Sequence, residues 1–238
     1  VSLLHPERLL DLIQNFIIYD NNVKKVARYK QYFAVKKCMN RILLRDNAGT
    51  RNGVVWHTQG SGKTALSYHL AHVLSDYFAK NNKVAKFYFI VDRLDLLEQA
   101  TQEFEARGLV VRTANSRQEL MEQFRNNQAL EGTSGDKEIT VVNIQRFAED
   151  KHRVDLPAYA TNLQRVFIMD EAHRGYNPTG SFLANLFEAD KNAIKIALTG
   201  TPLLKAERAS WKVFGNYFHT YYYDKSIQDG YTLKIIRE

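Results

Sequence analysis

The sequence predicts an α/β fold: a mostly parallel β-sheet with helices on both faces, preceded by N-terminal helices. Three observations predict it. From Gly53 onward, short β-rich runs alternate with amphipathic helical segments. Two of these runs, "FYFIV" and "VFIM", are apolar without a break, as strands covered on both faces must be. A glycine-rich turn also joins one strand run directly to a helical pattern.

The elements follow in order. The first 46 residues read as helical. "PERLLDLIQNF" places Pro6 at a helix start and spaces Leu9, Leu10, Ile13 and Phe16 on one face. "QYFAVKKCMNRILL" repeats the pattern. The predicted strands are 54–56, 85–92, 109–114, 138–144, 164–170 and 193–200, with a seventh in the aromatic block "FGNYFHTYYYD". Helical faces between them carry Leu66, Leu70, Val73 and Leu74, then Leu94, Leu97 and Phe104. Ser116 and Glu119 form a capping box for the next helix. "EGTSGDKE" (131–138) and "RGYNPTGS" (174–181) read as loops. Right-handed crossovers between parallel strands satisfy this alternation. The division expected is a helical segment at 1–46, an α/β domain at 47–224, and a linker or the start of a further domain at 225–238.

Composition narrows the class. The chain has 238 residues, 45% hydrophobic and 25% charged, as in an ordinary globular protein. No apolar run is long enough to span a membrane, and the N-terminus lacks the basic region of a signal peptide. A single cysteine, Cys38, excludes an internal disulfide and a multi-cysteine zinc site, which fits a cytoplasmic protein. Thirty-three basic residues against 26 acids give a net charge of +7, which favours a polyanionic partner. His69, His72, His152 and His219 show no metal-ligand spacing. Trp56 reads as core, and Tyr221 to Tyr223 as a packed edge strand.

The glycine-rich turn, "HTQGSGKT", has the chemistry of a phosphate cradle. Gly60 and Gly62 allow backbone N–H groups to approach phosphate oxygens closely. Lys63 would reach the terminal phosphates, and Thr64 would place a hydroxyl on Mg²⁺. The following helix directs its positive end at the anion. The segment Gln59, Gly60, Ser61, Gly62, Lys63 and Thr64 is therefore the expected ATP site. The general pattern asks for glycine where this chain has His57. Hydrolysis needs a second element, and "VFIMDEAH" supplies it at the end of an apolar strand. There Asp170 suits the metal and Glu171 suits the attacking water.

"GSGKT", "DEAH" and "LTGTP", in this order, resemble motifs I, II and III of superfamily-2 helicases and translocases. More narrowly, "RYKQYFAV", "WHTQGSGKT", "DRLDLLEQ", "DEAHR" and "LTGTPL" resemble the motor subunit of type I restriction enzymes. That family normally has a histidine at the position of His57. The resemblance implies a RecA-like P-loop NTPase domain that drives ATP-dependent translocation on double-stranded DNA. It implies that Gln31 reads adenine, where the sequence alone reads a surface glutamine on an amphipathic helix. It implies that His173 links the ATP site to Thr199, Gly200 and Thr201. It places Arg93, Gln145 and Arg146 at the DNA backbone, although Arg93 is equally set to pair with Asp92 or Asp95. Partners implied are double-stranded DNA and the modification and specificity subunits of a restriction–modification complex. The family's nuclease domain and second RecA-like domain find no counterpart in the sequence. The chain therefore reads as a fragment expected to bind ATP weakly and turn it over poorly alone. Other readings are another superfamily-2 helicase or remodelling ATPase, or a nucleotide-binding regulatory module that does not hydrolyse.

Overall fold

A computed structural model describes residues 5–20, 22–43, 51–125, 137–147, 162–172, 182–201 and 214–233. The chain opens with α1 (Pro6–Asn15), a two-stranded antiparallel hairpin of β1 (Ile17–Asp20) and β2 (Val23–Val26), and α2 (Tyr29–Leu43). The main sheet then takes β3 (Gly53–His57), β4 (Val84–Val91), β5 (Val110–Ala114), β6 (Glu138–Asn143), β7 (Leu163–Met169), β8 (Ile194–Thr199) and β9 (Tyr217–Tyr221). Between them lie α3 (Lys63–Lys80), α4 (Leu94–Ala106), α5 (Arg117–Arg125) and α6 (Phe182–Ala189), and α7 (Tyr223–Gln228) follows β9.

The seven strands run in the order β5-β6-β4-β7-β8-β3-β9, and every pairing is parallel. All seven predicted strands are present. Alternate side chains serve opposite faces: Phe87, Phe89 and Val91 join one core, and Tyr88 and Ile90 the other. The first core is closed by α1, α2, α3 and α4, through residues such as Leu12, Val35, Leu70 and Phe104. The second is closed by α5 and α6, through Phe124, Leu186 and Phe187. The continuous apolar runs follow from this two-sided cover. The Ser116–Glu119 cap forms, with Glu119 N–H donating to Ser116 Oγ at 3.2 Å. The return bond runs from Asn115 N–H to Glu119 Oε2 at 2.8 Å.

The N-terminal region departs from its all-helical expectation. A hairpin interrupts it, because "IIYD" and "VKKV" form strands and Asn22 suits the turn before the second of them. Asn22, at φ +63°, takes the left-handed conformation that the turn requires. The apolar face of α1 is also different. Leu12 and Phe16 are buried, whereas Leu9, Leu10 and Ile13 are exposed. Leu9, Leu12 and Ile13 instead line an open apolar cavity of about 530 Å³ with Val26, Tyr32 and Phe33. The expected boundary at residue 224 falls inside α7. Of the expected loops, residues 131–136 and 174–181 lie outside the described residues, as does His152. No described helix is long and apolar enough to cross a membrane.

Candidate nucleotide site at the carboxyl edge of the sheet

In an open parallel sheet, ligands bind beyond the carboxyl ends of the strands, where connections diverge to either side. Here β3 lies next to β8, and β8 next to β7. The turns leaving these three strands carry "HTQGSGKT", "LTGT" and "MDEA" respectively. Residues as far apart in sequence as Lys63 and Asp170, 107 positions, thus share one edge because parallel pairing brings their strand ends level.

The turn after β3 has the backbone conformation that its glycines permit. Gly60 (φ +71°) and Gly62 (φ +81°) are both left-handed, and Gly62 caps α3. Ser61 N–H donates to Thr58 carbonyl at 3.3 Å, closing the turn. Gln59 and Gly60 face solvent, and Lys63 and Thr64 are half-buried at the head of α3. The turn after β7 is held by the sheet: Asp170 N–H donates to Ile90 carbonyl at 2.9 Å, and Ala172 N–H to Leu198 carbonyl at 3.1 Å. Glu171 sits at φ +47°, an uncommon conformation for a side-chain-bearing residue.

That turn directs Glu171 at the cradle. Lys63 Nζ lies 3.0 Å from Glu171 Oε1, with the two side chains only 9% and 13% exposed. The lysine and the acid are therefore ion-paired to each other. Burial pushes the Asp170 carboxyl up to about 6; Lys63 opposes that rise and Glu171 adds to it. Asp170 and Thr64 are both hard oxygen donors, a set that fits Mg²⁺.

Gly200 explains itself by what surrounds it. A Cβ there would stand 3.2 Å from Gln59 Cγ and 3.4 Å from Lys63 Nζ. The turn after β8 is thus packed against both the cradle and its lysine. It is internally fixed, since Thr199 Oγ1 donates to Thr201 carbonyl at 2.8 Å and accepts from Thr201 N–H at 3.2 Å. His173, expected to join these two turns, lies outside the described residues.

Gln31 is almost fully buried, 6% exposed, and is not a surface residue. Its Nε2 donates to Gly62 carbonyl at 3.0 Å, and its Oε1 accepts from Arg28 N–H at 2.8 Å. It ties α2 to the cradle. Beside it, Lys30 is fully buried, with its ammonium 4.2 Å from the Tyr221 ring centre and 3.8 Å from that of Tyr231. Burial, then the Arg28 charge, lowers its pKa to about 8.

His57 is fully buried at the end of β3, its Nε2 2.7 Å from His219 Nδ1. Burial, then the neighbouring histidine, lowers His57 to about 3, and burial lowers His219 to about 4. Both are neutral at pH 7, so one hydrogen bridges them. His219 had no sequence signal; the pair is created by β3–β9 pairing across 162 positions. Trp56 is half-buried rather than core, stacked edge-on against Tyr222 at 4.5 Å. Tyr221 is buried in edge strand β9, whereas Tyr222 and Tyr223 are exposed.

Arg93 and Gln145 follow β4 and β6, whose ends pair as Val91 with Asn143. Both are exposed on the edge that carries the cradle. Arg93 is held by Asp95 through bonds of 3.0 and 2.8 Å. Gln145 N–H donates to Asn143 Oδ1 at 2.8 Å. The Arg146 side chain lies outside what is described.

The chain is similar to several known proteins in sequence and in fold. The SWI2/SNF2 ATPase family matches residues 30–238. The chain is 29% identical to the type I restriction enzyme HindI endonuclease subunit of Haemophilus influenzae, across 99% of this chain and 23% of that protein. It is 32% identical to the SauCOLORF180P endonuclease subunit of Staphylococcus aureus, across 98% of this chain and 24% of that protein. The chain thus spans about a quarter of the curated relatives it matches. In fold it is similar to the UvsW helicase of bacteriophage T4, with a TM-score of 0.60 at 15% identity over 92% of this chain and 68% of that one. It is also similar to the type ISP restriction–modification enzyme LlaGI in complex with a DNA substrate mimic, with a TM-score of 0.58 at 16% identity over 87% of this chain and 21% of that one.

Proposed function

The chain belongs to the SWI2/SNF2 ATPase family, and on that premise we propose that it is the ATP-binding lobe of a motor that moves along double-stranded DNA in a type I restriction enzyme. The observation that carries the reading is the 3.0 Å approach of Lys63 Nζ to Glu171 Oε1 at the sheet's carboxyl edge. A cradle lysine and a water-polarising acid in one half-buried crevice are what phosphoryl transfer to water needs. A module that only bound nucleotide would have no use for the acid.

The residues divide the work. Backbone N–H groups from Gln59 to Thr64 take the β- and γ-phosphates. Lys63 turns from Glu171 to the phosphate oxygens, because the triphosphate offers it more charge. Glu171, so released, orients water at the terminal phosphorus and accepts its proton. Asp170 and Thr64 would hold Mg²⁺, which would neutralise charge on the phosphates. The departure of Lys63 from Glu171 is felt at Gly200, against which its ammonium is packed. Through the Thr199–Thr201 turn that change passes to the DNA-facing edge, where Arg93 and Gln145 meet the sugar–phosphate backbone. Such contacts are independent of sequence, as a moving motor requires. A second lobe closes the crevice, and partner modification and specificity subunits hold the recognition site; both belong to the larger protein and complex. Alone, the lobe binds ATP weakly and hydrolyses it slowly.

The test uses the full-length protein and measures DNA-stimulated ATP hydrolysis together with triplex displacement from linear DNA. Lys63→Ala and Glu171→Gln are each expected to lower turnover by about 10²-fold or more and to abolish displacement. Turnover that survives both substitutions would end the motor reading. Turnover with strand separation but no displacement would make the protein a helicase instead.

A further inference from the structure

The turn after β9 is bound to the site from two sides. Thr58, in the cradle, donates to buried Ser226 of α7 at 3.3 Å. The Asp229 carboxylate accepts from Tyr29 of α2 at 2.5 Å and from Tyr221 of β9 at 2.6 Å. Gly230, at φ +74°, then reverses the chain, and Tyr231 N–H donates to Ser226 carbonyl at 2.9 Å. These bonds set the Tyr231 ring beside the start of α2. The Arg28 guanidinium lies 4.3 Å from the ring centre and the Lys30 ammonium 3.8 Å.

Three features make this ring more than packing. Tyr231 is 45% exposed, and Arg28 is exposed too, so the stack is open to solvent. A flat guanidinium against a flat ring is the contact that a nucleobase would make with either. Arg28 also holds Gln31 Oε1, and Gln31 holds Gly62 of the cradle. The open stack is therefore one residue link from the place where the phosphates would lie. The Gln31 amide bonds leave one amide hydrogen and one oxygen lone pair for a base edge.

We propose that Tyr231 is the stacking wall for the base of the bound nucleotide, a base-binding residue set in place by Asp229. This rests on the reading of the cradle as an ATP site. Before nucleotide arrives, the Arg28 guanidinium occupies the ring; the base then takes its place or slides between the two. The segment after β9 thereby joins the nucleotide site.

The experiment measures binding of MgATP and of magnesium tripolyphosphate, which lacks base and sugar, to the full-length protein by calorimetry. Tyr231→Ala should weaken MgATP binding roughly tenfold and leave tripolyphosphate binding as it was. Tyr231→Phe, which keeps the ring, should restore MgATP binding. Unchanged MgATP affinity in Tyr231→Ala overturns the proposal, because the ring then touches no base. Equal losses for both probes overturn it as well, because the ring then only supports the fold. If the unsubstituted protein binds tripolyphosphate but gains nothing from the base, this inference falls while the cradle stands. If it binds neither, the ATP reading falls and takes the inference with it.

Discussion

Gly62 shows how much one residue can be asked to do. Its φ of +81° is left-handed, and a Cβ there would lie 2.5 Å from Gln31 Nε2. Substitution would strain the backbone and also push away the amide that ties α2 to the cradle. Gly62→Ala is thus expected to cost about 1–2 kcal/mol of stability and to weaken MgATP binding at least about tenfold. Thermal melts and calorimetry on the full-length protein check both; a variant that matches the parent in each would mean Gly62 is not held left-handed. At this scale the sequence was informative about glycines and charges. Gly60, Gly62, Lys63, Asp170 and Glu171 were legible because each sits in a short motif directly after an apolar strand run. Gln31 was only half legible. Its place near the cradle was expected, but its amide bonds to Gly62 and Arg28 depend on how α2 docks.

Among the elements, β7 carries the acids and is fixed by a buried ion pair. Arg165 Nη1 meets Asp190 at 3.1 Å, and Nη2 donates to Phe124 carbonyl at 2.6 Å. Arg165 is 2% exposed and Asp190 1%. The pair ties β7 to α5 and to the end of α6, beneath the site. Asp190→Ala should therefore cost about 3–5 kcal/mol, since it strands a buried cation. Replacing both, as Arg165→Met with Asp190→Leu, should recover much of that loss. Urea unfolding measures it, and a loss below about 1 kcal/mol for Asp190→Ala would remove the pair from any structural role. The strands themselves were plain in the sequence, because two-sided burial demands unbroken apolar runs. The hairpin of β1 and β2 was not. Its strands are four residues each, and β2 is exposed throughout, so no burial pattern marks it. The α1 stripe misled for a related reason: helical spacing says which residues share a face, not which neighbour covers it.

Across the whole molecule, buried histidines set an acid limit. His57 and His69 are depressed by burial to about 3 and about 4, and His219 to about 4. Their unfolded value is near 6.5, so the unfolded chain binds protons first, and stability falls as pH drops below 6.5. Asp170 acts in the opposite sense. Its folded value of about 6 exceeds the ordinary 3.8, so stability is regained as it protonates. Three histidines, at about 1.4 kcal/mol each, outweigh one acid, and the net loss from pH 7.5 to 5.5 should be on the order of 3 kcal/mol. Urea unfolding of this chain at the two pH values tests the sum; equal stability would show that the histidines are hydrated in the native state. A fall in Mg²⁺-dependent binding over the same range would have a separate origin, the protonation of Asp170.

The sequence by itself determined the sheet, the glycine-rich turn after β3 and the acid pair after β7, because each is written in local residues: glycines for positive φ, apolar runs for buried strands, a lysine and carboxylates for charge. Only the tertiary structure decided which distant residues meet. It joined Lys63 to Glu171, His57 to His219, and Tyr29 to Asp229, contacts that parallel strand order and helix docking create between segments up to 200 positions apart. No local pattern encodes such a meeting, since it depends on where whole elements come to rest rather than on the residues beside each partner.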